Sequence, residues 1–358
     1  MGYRSFTVNT KKEWDDYMMK ALMNECFHSW GYHLLNNEGE PLLFIYEEEG
    51  FFIALPVIKR QIENSPYFDM TSVYGYSGPV SNIDLSHLSS LTISQFKISF
   101  TNFMQNESAI CMFSRLHPFI NQLTLTTGFG GIRKNGTTLY IDLSISVQDQ
   151  HNRYDKRLSR QIRRLRKQGF EIKESCDLAE IRGFIEMYHK NMDRVSASKN
   201  YYFEEKYFVD LLNIDGFDNR LILIYEGRKL VCGALVLLSD NIIRNHLSAT
   251  APEYLKESPS KLLTDEISVM GRRLGKKIFH LGGGVGGKED TLYRFKRLFS
   301  GLQVKDHIWC YINDEQAYND LVQRNGVAID PQSAYFPLYR QPKRDLQPYI
   351  SNIEASVV

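Results

Sequence analysis

"LLFIYEEEGFFIALPV" (42–57) and "LILIYEGRKLVCGALV" (221–236) are the two stretches on which the fold turns. Ile45-Tyr46-Glu47 matches Ile224-Tyr225-Glu226, and Ala54-Leu55 matches Ala234-Leu235, at an offset of about 180 residues, half of the 358-residue chain. In each stretch, apolar and β-branched runs flank a short polar turn with a glycine, Gly50 or Gly227. That pattern predicts a β-hairpin.

The segments downstream also correspond in kind. After the first hairpin come "VYGYSGPV" (73–80), a helical pattern over about 90–106 and a strand "AICMFSRL" (109–116). After the second come a strand "IIRNHLSA" (242–249), a helix over about 259–274 and a strand "KIFHL" (277–281). For that helix Ser258 is the expected N-cap and Pro259 the first helical residue. Arg272 and Arg273 fall in the last turn, and Gly275 ends it. Leu262, Leu263, Ile267, Met270 and Leu274 make its apolar stripe. The sequence therefore predicts an α+β unit present twice.

Composition narrows the class. With 43% apolar and 24% charged residues the chain reads as globular, with length enough for two domains. Lys and Arg number 43 against 42 Asp and Glu, so net charge points to no partner. Cys26, Cys111, Cys176, Cys232 and Cys310 lie far apart without a C-x-x-C pair. They read as reduced thiols, with no disulfide framework and no zinc or other metal site. The N-terminus shows no apolar signal region, and Met1-Gly2 alone carries little weight for lipidation. No run approaches a membrane span. A cytoplasmic protein is the expectation.

"LGGGVGGKED" (281–290) carries two overlapping phosphate motifs. Gly282, Gly287 and Lys288 have P-loop spacing, and Gly282, Gly284 and Gly287 fit G-x-G-x-x-G. The P-loop, however, needs Ser or Thr after its lysine to ligate Mg²⁺, and Glu289 stands there. Both motifs also begin a parallel βαβ series, for which too little chain remains. ATP and NAD(P) are not expected here, and a plain strand-to-helix loop is the structural alternative.

"YDKRLSRQIRRLRKQG" (154–169) is the strongest charge feature. Lys156, Arg160, Arg163, Arg164 and Lys167 fall on one helical side, and Leu158, Ile162 and Leu165 on another. Such a ridge suits a polyanion: tRNA, a sugar-nucleotide diphosphate or an anionic membrane surface. A merely solvated face is the alternative. Nothing points to DNA.

"HLGGGVGGKEDTLYRFKRLFSG" (280–301) resembles the C-terminal signature of the FemAB-like acyltransferases, a branch of the GNAT superfamily. There a "LGGG" strand end precedes a short helix carrying "FK", here Phe295-Lys296. The resemblance extends through 246–284, 139–172 and 73–80, so it spans most of the chain in loose motifs kept in order. It implies two tandem GNAT-like domains, each a mixed, mostly antiparallel sheet flanked by helices. The expected division is 1–150, then 151–330 with the basic helix 154–169, then a tail over 331–358.

The activity so implied is transfer of an aminoacyl or acetyl group to an amine on a bacterial cell-wall or surface-polysaccharide precursor. The co-substrate would be aminoacyl-tRNA or acyl-CoA, with no bound cofactor. The GNAT turn that cradles the CoA pyrophosphate falls at "SATAPEYLKESPSKLL" (248–263), which has no glycine; this favours the aminoacyl donor. The start of the following helix, with Ser258, Ser260 and Lys261, still offers free N–H groups to a donor. By resemblance Lys296 would stabilise the developing oxyanion or the donor's terminal ribose, and Phe295 would pack on the donor end. His246 is the candidate base, with His280 beside it, although either suits a hydrogen-bonded sheet histidine. Tyr188, Asn191, Arg194 and Tyr201 resemble the acceptor-side loop, and Tyr74 and Tyr76 are candidates to line it. Arg160, Arg163, Arg164 and Lys167 remain the anion-binding set. The acceptor would be a sugar nucleotide or lipid-linked glycan, the latter with peripheral contact at the inner membrane. A degenerate, non-catalytic protein that only binds glycan or tRNA is the other reading.

Overall fold

Alternating and continuous apolar runs make the two predicted hairpins, and a computed structural model shows what is built around them. It describes residues 2–35, 38–327, 333 and 335–341. The chain divides into two units. Among the described residues, one takes in those up to Asn135 and those from Asp306 on; the other is Gly136–Lys305.

The first unit holds β1 (Arg4–Val8), α1 (Lys11–Lys20), α2 (Trp30–Leu34), β2 (Glu40–Glu48), β3 (Phe51–Gln61), β4 (Phe68–Thr71), β5 (Val80–Ser81), α3 (Ser90–Asn106), β6 (Ala109–Arg115) and α4 (Gln122–Thr126). Strand β7 (Ile132–Asp142) carries the chain into the second unit. There follow α5 (Val147–Arg153), α6 (Lys156–Lys167), β8 (Glu171–Ser175), α7 (Leu178–Arg194), α8 (Glu205–Leu212), β9 (Arg220–Glu226), β10 (Lys229–Leu238), β11 (Ile242–Thr250), α9 (Ser260–Arg273), β12 (Ile278–Gly282) and α10 (Thr291–Arg297). Strand β13 (Gln303–Ile312) returns to the first unit, where α11 (Glu315–Arg324) lies.

Within each unit the strands follow one plan. The first unit runs β1-β2-β3-β4-β6-β13 and the second β8-β9-β10-β11-β12-β7. The hairpins β2–β3 and β9–β10 occupy equivalent places, as the repeat predicts. In both, the fourth and fifth strands are parallel and the other pairings antiparallel. A parallel pair needs a crossover, and α3 and α9 supply it.

The last strand of each plan is exchanged. Antiparallel β13 closes the first unit on β6, from Ile308↔Arg115 to Ile312↔Cys111. Antiparallel β7 closes the second on β12, from Ile278↔Asp142 onward. This corrects the division expected near residue 150 with a second domain reaching 330. The chain changes unit at 135/136 and again at 305/306, because β13 buries Trp309 in the first unit's core. Most of the expected tail from 331 lies outside the described residues.

Each unit has its own core. In the first, Phe44, Phe96, Phe100, Phe129 and Trp309 pack between α3 and the sheet. In the second, the apolar stripe of α6 (Leu158, Ile162, Leu165) joins Leu262, Leu263 and Ile267 of α9 over Ile222, Ala234 and Ile243.

Candidate active site

In the second unit β11 and β12 stay paired for only three steps, Ile242↔Ile278, Ile243↔Phe279 and Arg244↔His280. Beyond Arg244 and His280 the strands part. At the same level β11 bulges against β10: its partners step from Leu235↔Leu247 to Val236↔Asn245, so His246 is the extra residue. A bulge re-aims the side chains around it and takes one residue out of the ladder. The opening thus combines parting strands with a bulge. In the first unit β3 and β4 pair from Ile58↔Thr71 to Gln61↔Phe68 without a break.

Polar side chains at the opening are tightly held. Arg244, buried, hydrogen-bonds His280 Nδ1. A guanidinium only donates, so Nδ1 accepts and Nε2 carries the proton, which it gives to Thr138 Oγ1 at 2.9 Å. His280 is therefore a neutral sheet histidine. His246 meets the Tyr207 hydroxyl at 2.8 Å, with the two rings stacked. Burial, with the Arg244 charge adding to it, pushes the His246 imidazole down to about 3. The candidate base is a weak one.

The glycine run answers the phosphate question. Asp290 accepts from Tyr293 N–H with one oxygen and from Val285 N–H with the other, both at 2.9 Å. The acid caps α10 and takes up amides that a phosphate would need. The glycines are required by close approach. A Cβ on Gly284 would lie 2.4 Å from Asp290 Oδ1, and one on Gly136 would lie 2.2 Å from the Gly287 carbonyl. Lys296 ties this turn to α10: its ammonium donates to the Gly283 carbonyl at 2.6 Å. Phe295, one residue earlier, packs partly buried on the core with its ring edge to Phe299 at 5.4 Å.

The α9 N-terminus departs from its expected cap by one residue. Pro259 holds the N-cap place and no side chain caps the helix. Ser258 cannot serve, because it is left-handed (φ 57) and buried, whereas a cap needs extended backbone. Ser260 Oγ is buried without a partner among the described residues. Lys261 beside it is half-buried; burial, and then the charge of Arg164 on α6, push its ammonium down. Uncapped amides, a hydroxyl and two cations meet here. The corresponding helix α3 of the first unit is capped by Ser89, which accepts from Thr92 N–H at 3.0 Å.

Arg194 ends α7. One guanidinium nitrogen donates to Asn191 Oδ1 at 2.7 Å, while Nε is buried without a partner among the described residues. Burial alone lowers its pKa, with no carboxylate opposing it. Asn191 is thus a buried holder of Arg194. Tyr188 is also buried; it packs on Phe184 and Phe208 and donates to the Tyr201 carbonyl at 2.9 Å. Tyr201 itself is at the surface. In the first unit Tyr74 is 48% exposed, whereas Tyr76 is buried beneath Arg115, whose guanidinium lies 4.2 Å from the ring centroid. Arg115 in turn pairs with buried Asp306.

Sequence reasoning missed the anchor of the basic helix. Asp265 on α9, fully buried, accepts from Arg166 at 2.7 Å, from the Tyr154 hydroxyl at 2.9 Å and from His151 Nε2 at 2.9 Å. Its signal was an acid inside the stripe between Leu262 and Ile267. Arg160, Arg163, Arg164 and Lys167 are exposed on the outer side of α6.

Residues 152–297 match the family model described as an acetyltransferase (GNAT) domain. No curated protein matches the sequence. Among solved structures, FemX superposes with a TM-score of 0.69 at 12% identity, over 89% of this chain and 99% of that one. L-PGS from Bacillus licheniformis gives 0.57 at 12% identity, over 88% and 96%. The C-terminal domain of a putative lysylphosphatidylglycerol synthetase from Agrobacterium fabrum gives 0.52 at 13% identity, over 88% and 95%. The matched segment is thus a domain of the GNAT acyltransferase type. The two units repeat one strand plan, and the chain shares its fold with FemX and L-PGS. Among the described residues no helix is long and apolar enough to cross a membrane.

Proposed function

We propose that this protein transfers an acyl group to an amine on a bacterial cell-wall or surface-polysaccharide precursor in the cytoplasm, and that the second unit carries the chemistry. The observation that carries the reading is the α9 N-terminus with Ser260, Lys261 and Arg164, where two cations stand beside a helix end that no side chain caps. An anionic donor neutralises them. Ser258 shapes this end and Phe295 packs at the acyl end of the donor. The first unit's counterpart, sealed by Ser89, is read as having no donor role.

Arg194 supports an acidic acceptor. A half-buried guanidinium with an unpaired Nε is costly unless a phosphate or carboxylate completes it. Asn191 and Tyr188 hold it and its loop, and Tyr201 offers an aromatic surface to a sugar. Tyr76, buried beneath Arg115, offers no surface to an acceptor. A sugar nucleotide or lipid-linked glycan fits this chemistry; the lipid form brings the protein against the inner membrane.

In the reaction the acceptor amine attacks the acyl carbonyl. Lys296, already aimed at a carbonyl oxygen, meets the negative charge that develops in the tetrahedral intermediate. The amine proton leaves by way of the substrate, since His246 is too weak a base at neutral pH. The leaving group is the ribose hydroxyl of an aminoacyl-tRNA, the donor favoured by the glycine-free turn at 248–263, or the thiol of an acyl-CoA.

Purified protein incubated with amino-sugar nucleotides and either charged tRNAs or acyl-CoAs, read by mass spectrometry, tests the proposal. An acylated sugar nucleotide with one donor class is expected. Absence of product with every donor would leave a binding protein in place of an enzyme.

A further inference from the structure

Helices α3 and α9 are the matching crossovers of the two units, yet their flanks are finished differently. Each buries a set at i, i+4 and i+8: Thr92, Phe96 and Phe100 on α3, Leu263, Ile267 and Gly271 on α9. That set puts the helices in register, and Leu91 and Ser94 of α3 then stand where α9 has Leu262 and Asp265. In the second unit α6 covers this flank. Its Leu158, Ile162 and Leu165 share a core with Leu262, and its Arg166 reaches Asp265. Leu262 is 1% exposed as a result, whereas Leu91 is 67% exposed and Ile98, two turns further on, 56%. Among the described residues the first unit begins at β1, with no helix ahead of it in the place of α6.

The open flank is also free of charge. Leu91, Ser94, Ile98, Asn102 and Gln105 make its exposed row. The 17 residues of α3 include one charged side chain, Lys97, which lies off the row and donates to the Gly128 carbonyl at 2.7 Å. The flank of α9 is instead specified by charge, through Arg166 with Asp265 and Glu266. A charged helix like α6 finds no counter-charge on α3. A partner with the same uncharged row meets no like charge, and its own Leu and Ile at i and i+7 leave water in the same step.

We infer that the outer flank of α3 is a self-association surface, taken by the same helix of a second copy of this chain. A two-fold axis beside Ile98 lays the two helices antiparallel along their length, Ile98 against Ile98, and the small Ser94 lets them come close. At 1.5 Å per residue α3 is about 25 Å long, so the interface falls below the roughly 1,200 Å² of a standard complex. The dimer is accordingly weak, with Kd on the order of 10–100 μM. The inference uses no residue of the proposed donor or acceptor site.

Sedimentation velocity of the whole protein from about 1 to 200 μM tests it, with a concentration-dependent shift from monomer to dimer expected. Ile98→Glu sets two like charges on the axis and should weaken association at least about tenfold. Its side chain is exposed, so melting should match the parent; Ile98→Ser serves if it does not. Cross-linking reads the geometry directly. In a Cys176→Ser background, which removes the exposed thiol, Ile98→Cys should give a disulfide-linked dimer on oxidation by oxygen with copper phenanthroline. Gln105→Cys, two turns from the axis, should link far less. A parent that stays monomeric throughout, or an Ile98→Glu variant that associates like the parent, would overturn the inference. So would equal cross-linking at the two cysteines. A monomeric parent that binds phosphatidylcholine–phosphatidylglycerol vesicles through Ile98 would also overturn it, giving the flank to lipid.

Discussion

The Lys296 ammonium donates to the Gly283 carbonyl at 2.6 Å, binding the short helix after the glycine run to the end of the strand before it. The residue proposed to stabilise the oxyanion therefore also closes the turn held by Asp290. Lys296→Ala should lower kcat by about 10²–10³, the usual cost of removing such a donor. Lys296→Arg should recover only part, since a planar fork does not put its charge where an ammonium does. Turnover within about threefold of the parent in Lys296→Ala would reduce Lys296 to the turn contact alone.

Arg194 should behave differently. Its partners are Asn191 and, as proposed, the acceptor's anionic group. Arg194→Ala should raise KM for the acceptor by more than tenfold, about 1.4 kcal/mol or more of binding, with a smaller change in kcat. It should change stability little, because it removes an unsatisfied buried donor while leaving Asn191 Oδ1 without its partner. A variant with unchanged acceptor KM places the acceptor elsewhere.

Two histidines set an acid limit on stability. Burial pushes His33 down to about 4 and His246 to about 3, both from an ordinary 6.5. Protonation is thus easier in the unfolded chain. The stability from keeping the rings neutral is full above pH 6.5 and is lost as pH falls towards 4 and then 3, at up to about 1.4 kcal/mol per unit and group. Melting temperature should fall over that window, and less so in His33→Phe. The same shift predicts that kcat/KM shows no limb between pH 6 and 7 from His246; one abolished by His246→Gln would restore it as the base.

Local pattern made part of this architecture readable. The hairpins at 42–57 and 221–236, the α9 stripe and the inward face of α6 repeat within one element, where periodicity operates. Strand exchange left no such mark, since nothing in "HIWCYI" (307–312) says that it pairs with Cys111–Arg115 nearly two hundred residues earlier. Site residues were legible as types and less so as roles. Tyr188 and Asn191 lie on α7 with Arg194, and they hold Arg194 and its loop from inside. The residue type of Ser258 favours capping, and its left-handed backbone forbids it.

The exchanged strand predicts how the chain fails when shortened. Trp309 on β13 packs at 5.0 Å from Phe129 and 6.0 Å from Phe100. A chain ending at Lys305 leaves β6 an open edge and the first unit's core without its largest ring, worth several kcal/mol, on the order of 3–5 for a buried Trp. Such a chain should lose its cooperative melting transition and bind a hydrophobic dye, whereas a native-like melt would show that β6 needs no partner.

Asp265 gives the last prediction. Its buried carboxylate serves Arg166, Tyr154 and His151 at once, and Ser268 joins through Gln150 at 2.7 Å. Removing one member of a buried pair typically costs about 3–5 kcal/mol, because the other is left unpaired. Here Arg166 is 43% exposed and can turn to water, so the cost of Asp265→Ala should be lower, about 1–3 kcal/mol, mostly from Tyr154 and the cavity. Arg166→Met should cost less still, since Asp265 keeps its two other donors. Because Asp265 pins α6 against α9, the variant should also loosen the juxtaposition of Arg164 and Lys261. KM for the acyl donor should then rise while KM for the acceptor stays put. An equal rise in both would mean that Asp265 supports the unit as a whole and does not set the spacing of those two cations.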